Sequence, residues 1–278
     1  MKKILALVLA LLMMSAVFVG CGTDADTNAK NDATADEAVA SDYDYVKANG
    51  SMKIGYTVYD PMNFTDENGD FVGFDTEYAK AVCEKLGVEP EFIEINWDTK
   101  EVNLNAKDID CIWNGFTITE EREEQLDFTT PYILNKQVVV IRKADADKYK
   151  DTASLAAANL TAEKASAGES AIQADENLKT AAYVESDVQT SALMAVKAMT
   201  ADACVVDYTV AYAMAGKGDY ADLMVIEGLD LAVEEYGIGF RSGSDLVSKV
   251  NDITAELIAD GTLEEIAEKY GLKDNLLK

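Results

Sequence analysis

From residue 50 onward, short apolar runs alternate with stretches whose apolar positions recur every three or four residues. The runs at 52–56, 92–95, 110–113, 138–142, 160–163, 182–184, 203–207 and 236–240 predict strands. Phe74, Tyr78, Ala81, Val82 and Leu86 share one face of a helix, with Asp75 placed to cap it and Gly87 to end it. Further helices are predicted over 166–174, 188–199 and 245–270, the last broken at Gly261. This alternation predicts an α/β protein with mostly parallel sheets flanked by helices.

The first residues follow a different pattern. Lys2 and Lys3 precede an apolar or small run over 4–20 that ends at Cys21. A charged start, an apolar middle and small residues before a cysteine predict a secretory signal over 1–21. Phe18-Val19-Gly20-Cys21 resembles a bacterial lipobox, which makes Cys21 the expected lipidation site and the membrane contact a lipid anchor only. An ordinary signal peptide is the alternative. Residues 22–42 hold no aromatic and cannot bury enough apolar surface to offset their ordering entropy, so a disordered tether is expected over 22–43.

Composition narrows the chemistry. The 278 residues carry 24 Lys+Arg, 51 Asp+Glu and no histidine, a net charge of −27. Without histidine there is no Ser-His-Asp or Cys-His nucleophile pair and no His-ligated metal. The acidic balance argues against nucleic acid, whose phosphates need Lys and Arg, and against a basic patch for anionic lipid. Besides Cys21 three cysteines remain, so at least one thiol is free; Cys83 and Cys111 are read as buried small hydrophobes, with a disulfide between them as the alternative. Asp66 to Asp70 fails the spacing of a calcium loop and predicts a hairpin turn at Asn68-Gly69. No metal, cofactor or catalytic residue is expected.

The segment 107–117 echoes 199–209, each an acidic lead into a buried strand ending near a polar residue, Asn114 or Asp207. In open α/β sheets, ligands gather beyond such strand ends. Arg122 stands among Glu120, Glu121, Glu123 and Glu124, either on a solvated helical face or turned inward to grip a carboxylate in two places. Asn114, Gly115 and Thr117 place polar groups at the same strand end. Asp207 is either a helix cap or the partner of an ammonium. Ser166-Ala167 opens a helix whose free amides attract an anion, or Ser166 with Glu169 forms an ordinary capping box. Together these groups complement an α-amino acid. Tyr59, Phe64, Trp97 and Phe116 would line a side-chain pocket or pack in the core.

The motifs at 69–87, 108–132, 201–211, 234–245 and 260–271 closely resemble, in family order, the bacterial extracellular solute-binding proteins of family 3, the amino-acid-binding components of ABC importers. The resemblance implies a two-lobed, type II periplasmic-binding-protein-like fold with two hinge strands. Lobe 1 would comprise 44–134 and 235–278, and lobe 2 would comprise 135–234. It implies that Arg122 clamps the ligand α-carboxylate, that Asn114, Gly115 and Thr117 assist, that Asp207 takes the ammonium, and that Tyr59 and Trp97 line the pocket. The chain departs from the family's Gly-Ser-Thr at the second-lobe helix start, carrying Ala165-Ser166-Ala167. Glu163, just before it, is placed to receive a cationic or amide side chain, and a polar or sulfur-containing amino acid is the expected ligand. The implied partner is an ABC permease, the implied state a monomer, and the implied location the extracellular face of the bacterial cytoplasmic membrane. The competing readings are a dehydratase- or lyase-like enzyme on the same scaffold and a ligand-sensing lipoprotein.

Overall fold

The computed structural model describes residues 41–278. The signal peptide over 1–21, lipidation at Cys21 and the tether as far as residue 40 lie outside the described residues. The tether expected through 43 ends earlier, because Ser41 accepts the Asp44 amide and starts helix α1 (Asp42–Asn49), which Gly50 closes in a left-handed conformation. This helix buries only Val46 of its eight residues, so it carries no apolar stripe for periodicity to detect.

The elements then run β1 (Ser51–Tyr56), β2 (Phe64–Thr65), β3 (Phe71–Val72), α2 (Phe74–Leu86), β4 (Glu89–Glu94), α3 (Lys100–Asn105), β5 (Cys111–Thr117) and α4 (Glu120–Glu123). They continue with β6 (Leu126–Phe128), β7 (Ile133–Arg142), α5 (Thr152–Leu155), β8 (Asn159–Glu163), α6 (Ala167–Ala174), β9 (Ala182–Ser186) and α7 (Gln189–Lys197). The last are β10 (Ala203–Asp207), α8 (Tyr208–Met214), β11 (Leu223–Arg241), α9 (Leu246–Ala259) and α10 (Thr262–Lys269).

The main sheet is mixed, in the order β4-β1-β5-β11-β7-β10-β8-β9, with β6 also on β11. The pairs β4–β1, β1–β5, β10–β8 and β8–β9 are parallel. The antiparallel pairs all involve β7 or β11, which pair with each other from Ile133–Tyr236 to Leu223–Arg142. These two strands carry the chain from one group of parallel strands to the other and back. The sequence pattern caught only 236–240 of the 19-residue β11, because its first part is largely solvent-facing and interrupted by register shifts.

Three local expectations changed or sharpened. Asp75 does not cap α2; Gly73 holds that position at φ +130°, where a Cβ would lie 2.1 Å from the Met62 carbonyl oxygen, and Asp75 is buried inside the first turn. Asn68-Gly69 does turn a hairpin, with Asp66 Oδ1 accepting the amides of Asn68 and Asp70, and among the described residues no side-chain cluster suits a metal ion. Cys83, Cys111 and Cys204 are free, buried thiols, as expected of small hydrophobes.

The echo between 107–117 and 199–209 has a physical basis. Lys107 and Met199 both turn left-handed, at φ 62° and 61°. Asp110 and Asp202 then accept backbone amides of neighbouring strands, from Lys53 within β1 and Asn159 at the start of β8, each at 2.9 Å. An arginine braces each loop. Arg241 Nη1 donates to the carbonyls of Leu104 and Ile109 and its guanidinium pairs with Asp110 at 3.6 Å. Arg142 Nη1 donates to Val196 and Ala201 and pairs with Asp202 at 3.3 Å. The Asp110 side chain is 2% exposed and that of Asp202 24%, so the first brace is the drier one. Arg241→Met is therefore expected to cost roughly 3 kcal/mol in denaturant unfolding, and Arg142→Met distinctly less; equal losses would contradict this account.

Candidate functional site

Tyr59, Trp97, Asn114, Gly115, Thr117, Arg122, Glu163, Ser166, Ala167, Gln189 and Asp207 line one narrow cavity where the two groups of parallel strands meet. Ten of these eleven are residues singled out from the sequence; Gln189 was not. Phe116 does not line it: the ring is buried beneath Arg122, 4.6 Å from the guanidinium carbon to the ring centroid, and packs edge-on to Trp97. Phe64 packs instead against Tyr270.

Arg122 turns inward from the short helix α4. Its backbone amide meets the Thr119 hydroxyl, and Nη1 donates to the Thr117 carbonyl at 2.6 Å. Nη2 reaches the Ala165 carbonyl at 3.5 Å from the opposite side of the cavity. The guanidinium forms no ion pair with a carboxylate among the described residues. Lys100, buried at the start of α3, donates to the carbonyls of Trp97 and Ala165 at 3.1 and 3.3 Å. Ala165 presents its carbonyl to both cations by adopting φ +56°, a conformation a non-glycine residue rarely holds. Ser166 caps α6 through the Glu169 amide, while Glu169 bonds the Ala165 amide rather than that of Ser166, so the capping box is only half formed.

Asn114 spends its side chain on structure. It accepts from the Thr57 amide and hydroxyl and donates to the Thr57 carbonyl and to Asn63. Gly115, at φ +57°, gives its amide to Asp75 at 2.6 Å. A Cβ there would lie 2.8 Å from the Tyr59 ring and 3.0 Å from that of Tyr236, so only glycine fits. Tyr59 bonds the hydroxyls of Thr209 at 2.5 Å and Tyr236 at 2.7 Å. Asp75 Oδ2 also accepts the Tyr132 hydroxyl, and burial pushes its carboxyl up to about 7.

Asp207 ends β10 and makes no side-chain cap. It is held by three amide side chains: Asn135 Nδ2 donates to Oδ1 at 2.9 Å, Gln137 Nε2 also meets Oδ1, and Gln189 Nε2 meets Oδ2. Asn135 and Gln137 occupy alternate positions of β7 and so face the same way. Glu234 on β11 adds a second carboxyl beside them. Glu163 is buried with Oε1 unpartnered among the described residues. Burial, and then the charge of Asp207, push its carboxyl up to about 8, with Lys100 and Arg122 acting the other way.

Asn135, Gln137, Gln189, Glu234 and Lys100 were not found from the sequence. For the first two a signal existed, since polar residues at period two in the run ILNKQVVV mark one face of a strand. Glu234 and Lys100 lie among other charged residues and carried none. Beyond Arg122 and Ala167, which border both spaces, a groove of about 1000 Å³ opens between Lys100, Glu121, Ser170 and Leu231.

Residues 52–273 match the bacterial extracellular solute-binding proteins, family 3, which is most of the chain, and the protein belongs to that family. It is similar to the L-cystine-binding protein TcyJ of Escherichia coli strain K12, 28% identical over 230 residues covering 81% of this chain and 84% of that one. The glutamine-binding protein GlnH of the Bacillus subtilis ABC transporter is 28% identical over 279 residues, 99% of each chain. Among solved structures, an ABC uptake transporter substrate-binding protein of Streptococcus pneumoniae with bound histidine is 30% identical with a TM-score of 0.77, covering 86% of this chain and 99% of that one. Each of these relatives is named for binding, not for catalysis. Among the described residues no helix is long and apolar enough to cross a membrane.

A carboxyl that ionises later in the folded protein than in the unfolded chain holds its proton more tightly when folded. Its contribution to stability is complete at low pH and is lost as pH rises toward the folded value. For Glu163 that window runs from about 4.5 to about 8. Glu163→Gln is therefore expected to raise the melting temperature at pH 8.5 and to make its decline between pH 5 and 8 shallower than in the wild type. A variant that melts lower at pH 8.5 would contradict this.

Proposed function

We propose that this protein captures a free amino acid and delivers it to an ABC importer. The observation that carries the reading is the opposition of Arg122 and Asp207 across one cavity. Arg122 offers guanidinium donors to the α-carboxylate, and Asp207 offers a buried carboxylate to the α-ammonium. Ser166 and Ala167 start α6 beside them, and Tyr59 and Trp97 form the walls. The two lobes, 44–134 with 235–278 and 135–234, would close on the ligand about β7 and β11, with α1 extending the first lobe back to residue 42. A ligand drives closure only through contacts it makes better in the closed form. Here those contacts come from both lobes: Arg122 from the first, Asp207 and Glu163 from the second.

The relatives named for cystine, glutamine and histidine support an amino-acid ligand, in keeping with the polar or sulfur-containing ligand expected from the sequence. The lipobox-like Cys21 supports attachment by a lipid at the extracellular face of the membrane, with a permease as partner and the protein acting as a monomer.

Purified protein freed of bound solute should melt higher with one or a few of the twenty amino acids or cystine, by about 2.7 kcal/mol of added stability at a hundredfold excess over Kd. Arg122→Ala should weaken that ligand about a hundredfold or more, because a buried ligand carboxylate loses its charge partner. No shift with any of them, in folded protein, would overturn the reading.

A further inference from the structure

A second carboxyl stands beside Asp207: Glu234, which borders the adjoining groove rather than the cavity itself. Glu234 Oε1 lies against the same amides that hold Asp207 Oδ1: Asn135 Nδ2 donates to it at 2.6 Å and Gln137 Nε2 at 2.7 Å. The Thr117 hydroxyl adds a third donor at 3.1 Å. Two oxygens bridged twice by the same nitrogens are close neighbours. Asp207 is 5% exposed, and neither carboxyl forms an ion pair with a Lys or Arg among the described residues. The charged and titratable groups facing the pair are Arg122 from α4, Lys100 and Glu101 from α3, Glu163 from β8, and the phenols of Tyr59 and Tyr236. A buried carboxyl and a half-buried one in contact, with no cation paired to either among the described residues, do not both ionise readily. Burial first, and the charge of Asp207 second, push the Glu234 carboxyl up.

We propose that Glu234 stands beside Asp207 as the second carboxyl of the ammonium site, holds a proton before the ligand arrives, and loses it to solvent when the ligand ammonium enters. The ligand keeps its own proton: the Glu234 O–H bond breaks, the proton passes to water, and two carboxylates then answer one ammonium. The amide donors stay in place, so the exchange needs no change in the surrounding hydrogen bonds. Affinity then rises with pH by up to about tenfold per pH unit until Glu234 is fully ionised. This rests on the amino-acid reading above and assigns Glu234, a residue of the strand that joins the lobes, a direct part in recognition.

The test is calorimetric titration of the full chain with L-glutamine, L-arginine and L-cystine between pH 6 and 8, at each pH in two buffers of different ionisation enthalpy. The expected result is release of about one proton per ligand bound, with affinity climbing as pH rises. Glu234→Gln should abolish both the release and the pH slope, whereas Glu235→Gln, exposed on the same strand, should retain them. Binding with a wild-type proton count near zero overturns the proposal alone, whatever the variants do. So does a slope that survives in Glu234→Gln, since the proton would then come from elsewhere. Absence of binding by these three and by the remaining amino acids of the melting screen overturns the amino-acid reading, and this inference with it.

Discussion

The structure turns on a buried carboxylate that no cation pairs with among the described residues. Asp207 sits where β7, β10 and β11 come together, and its oxygens are met by Asn135, Gln137 and Gln189. Taking a carboxylate out of water costs several kcal/mol unless hydrogen bonds and opposite charge replace the lost solvation. Three amide groups supply the hydrogen bonds and leave the charge unpaired among the described residues. The arrangement holds the carboxylate in one position at the cavity wall.

The opposite wall follows the complementary logic. Arg122 meets carbonyl oxygens and no carboxylate among the described residues, Lys100 meets carbonyls and Glu101 at 3.3 Å, and both reach the Ala165 carbonyl of the facing strand-to-helix turn. That carbonyl is aimed by a left-handed alanine, at a cost of about 1–2 kcal/mol. Strain of this kind persists where the surrounding contacts over-determine the conformation. Here the half-formed cap of α6 and two cations from the other side do so.

Outside the cavity, the paired Asp–Arg braces at Asp110–Arg241 and Asp202–Arg142 anchor the loops that lead into β5 and β10. Each brace ties a helix end to the start of a strand. Each of those strands ends at the cavity, β5 at Gly115 and Thr117 and β10 at Asp207. The braces thus tie down the strands whose ends line the cavity, and their likeness is what the internal echo in the sequence reflects.

The sequence by itself determined the α/β alternation, most element positions, the left-handed stops at Gly87 and Gly261, and all but Gln189 of the residues that line the cavity. These are local matters, set by side-chain periodicity, by glycine's freedom at positive φ, and by strand ends that carry their polar residues with them. Only the tertiary structure decided that Asp75 is a buried acceptor for Gly115 rather than a helix cap, and that Asn114 is a brace between strands. It alone joined Asp207 to Asn135, Gln137, Gln189 and Glu234, which come from three other elements. The physical reason is that a buried polar group must find partners wherever the chain brings them. Those partners lie up to 99 residues apart along the chain, a distance no local pattern spans.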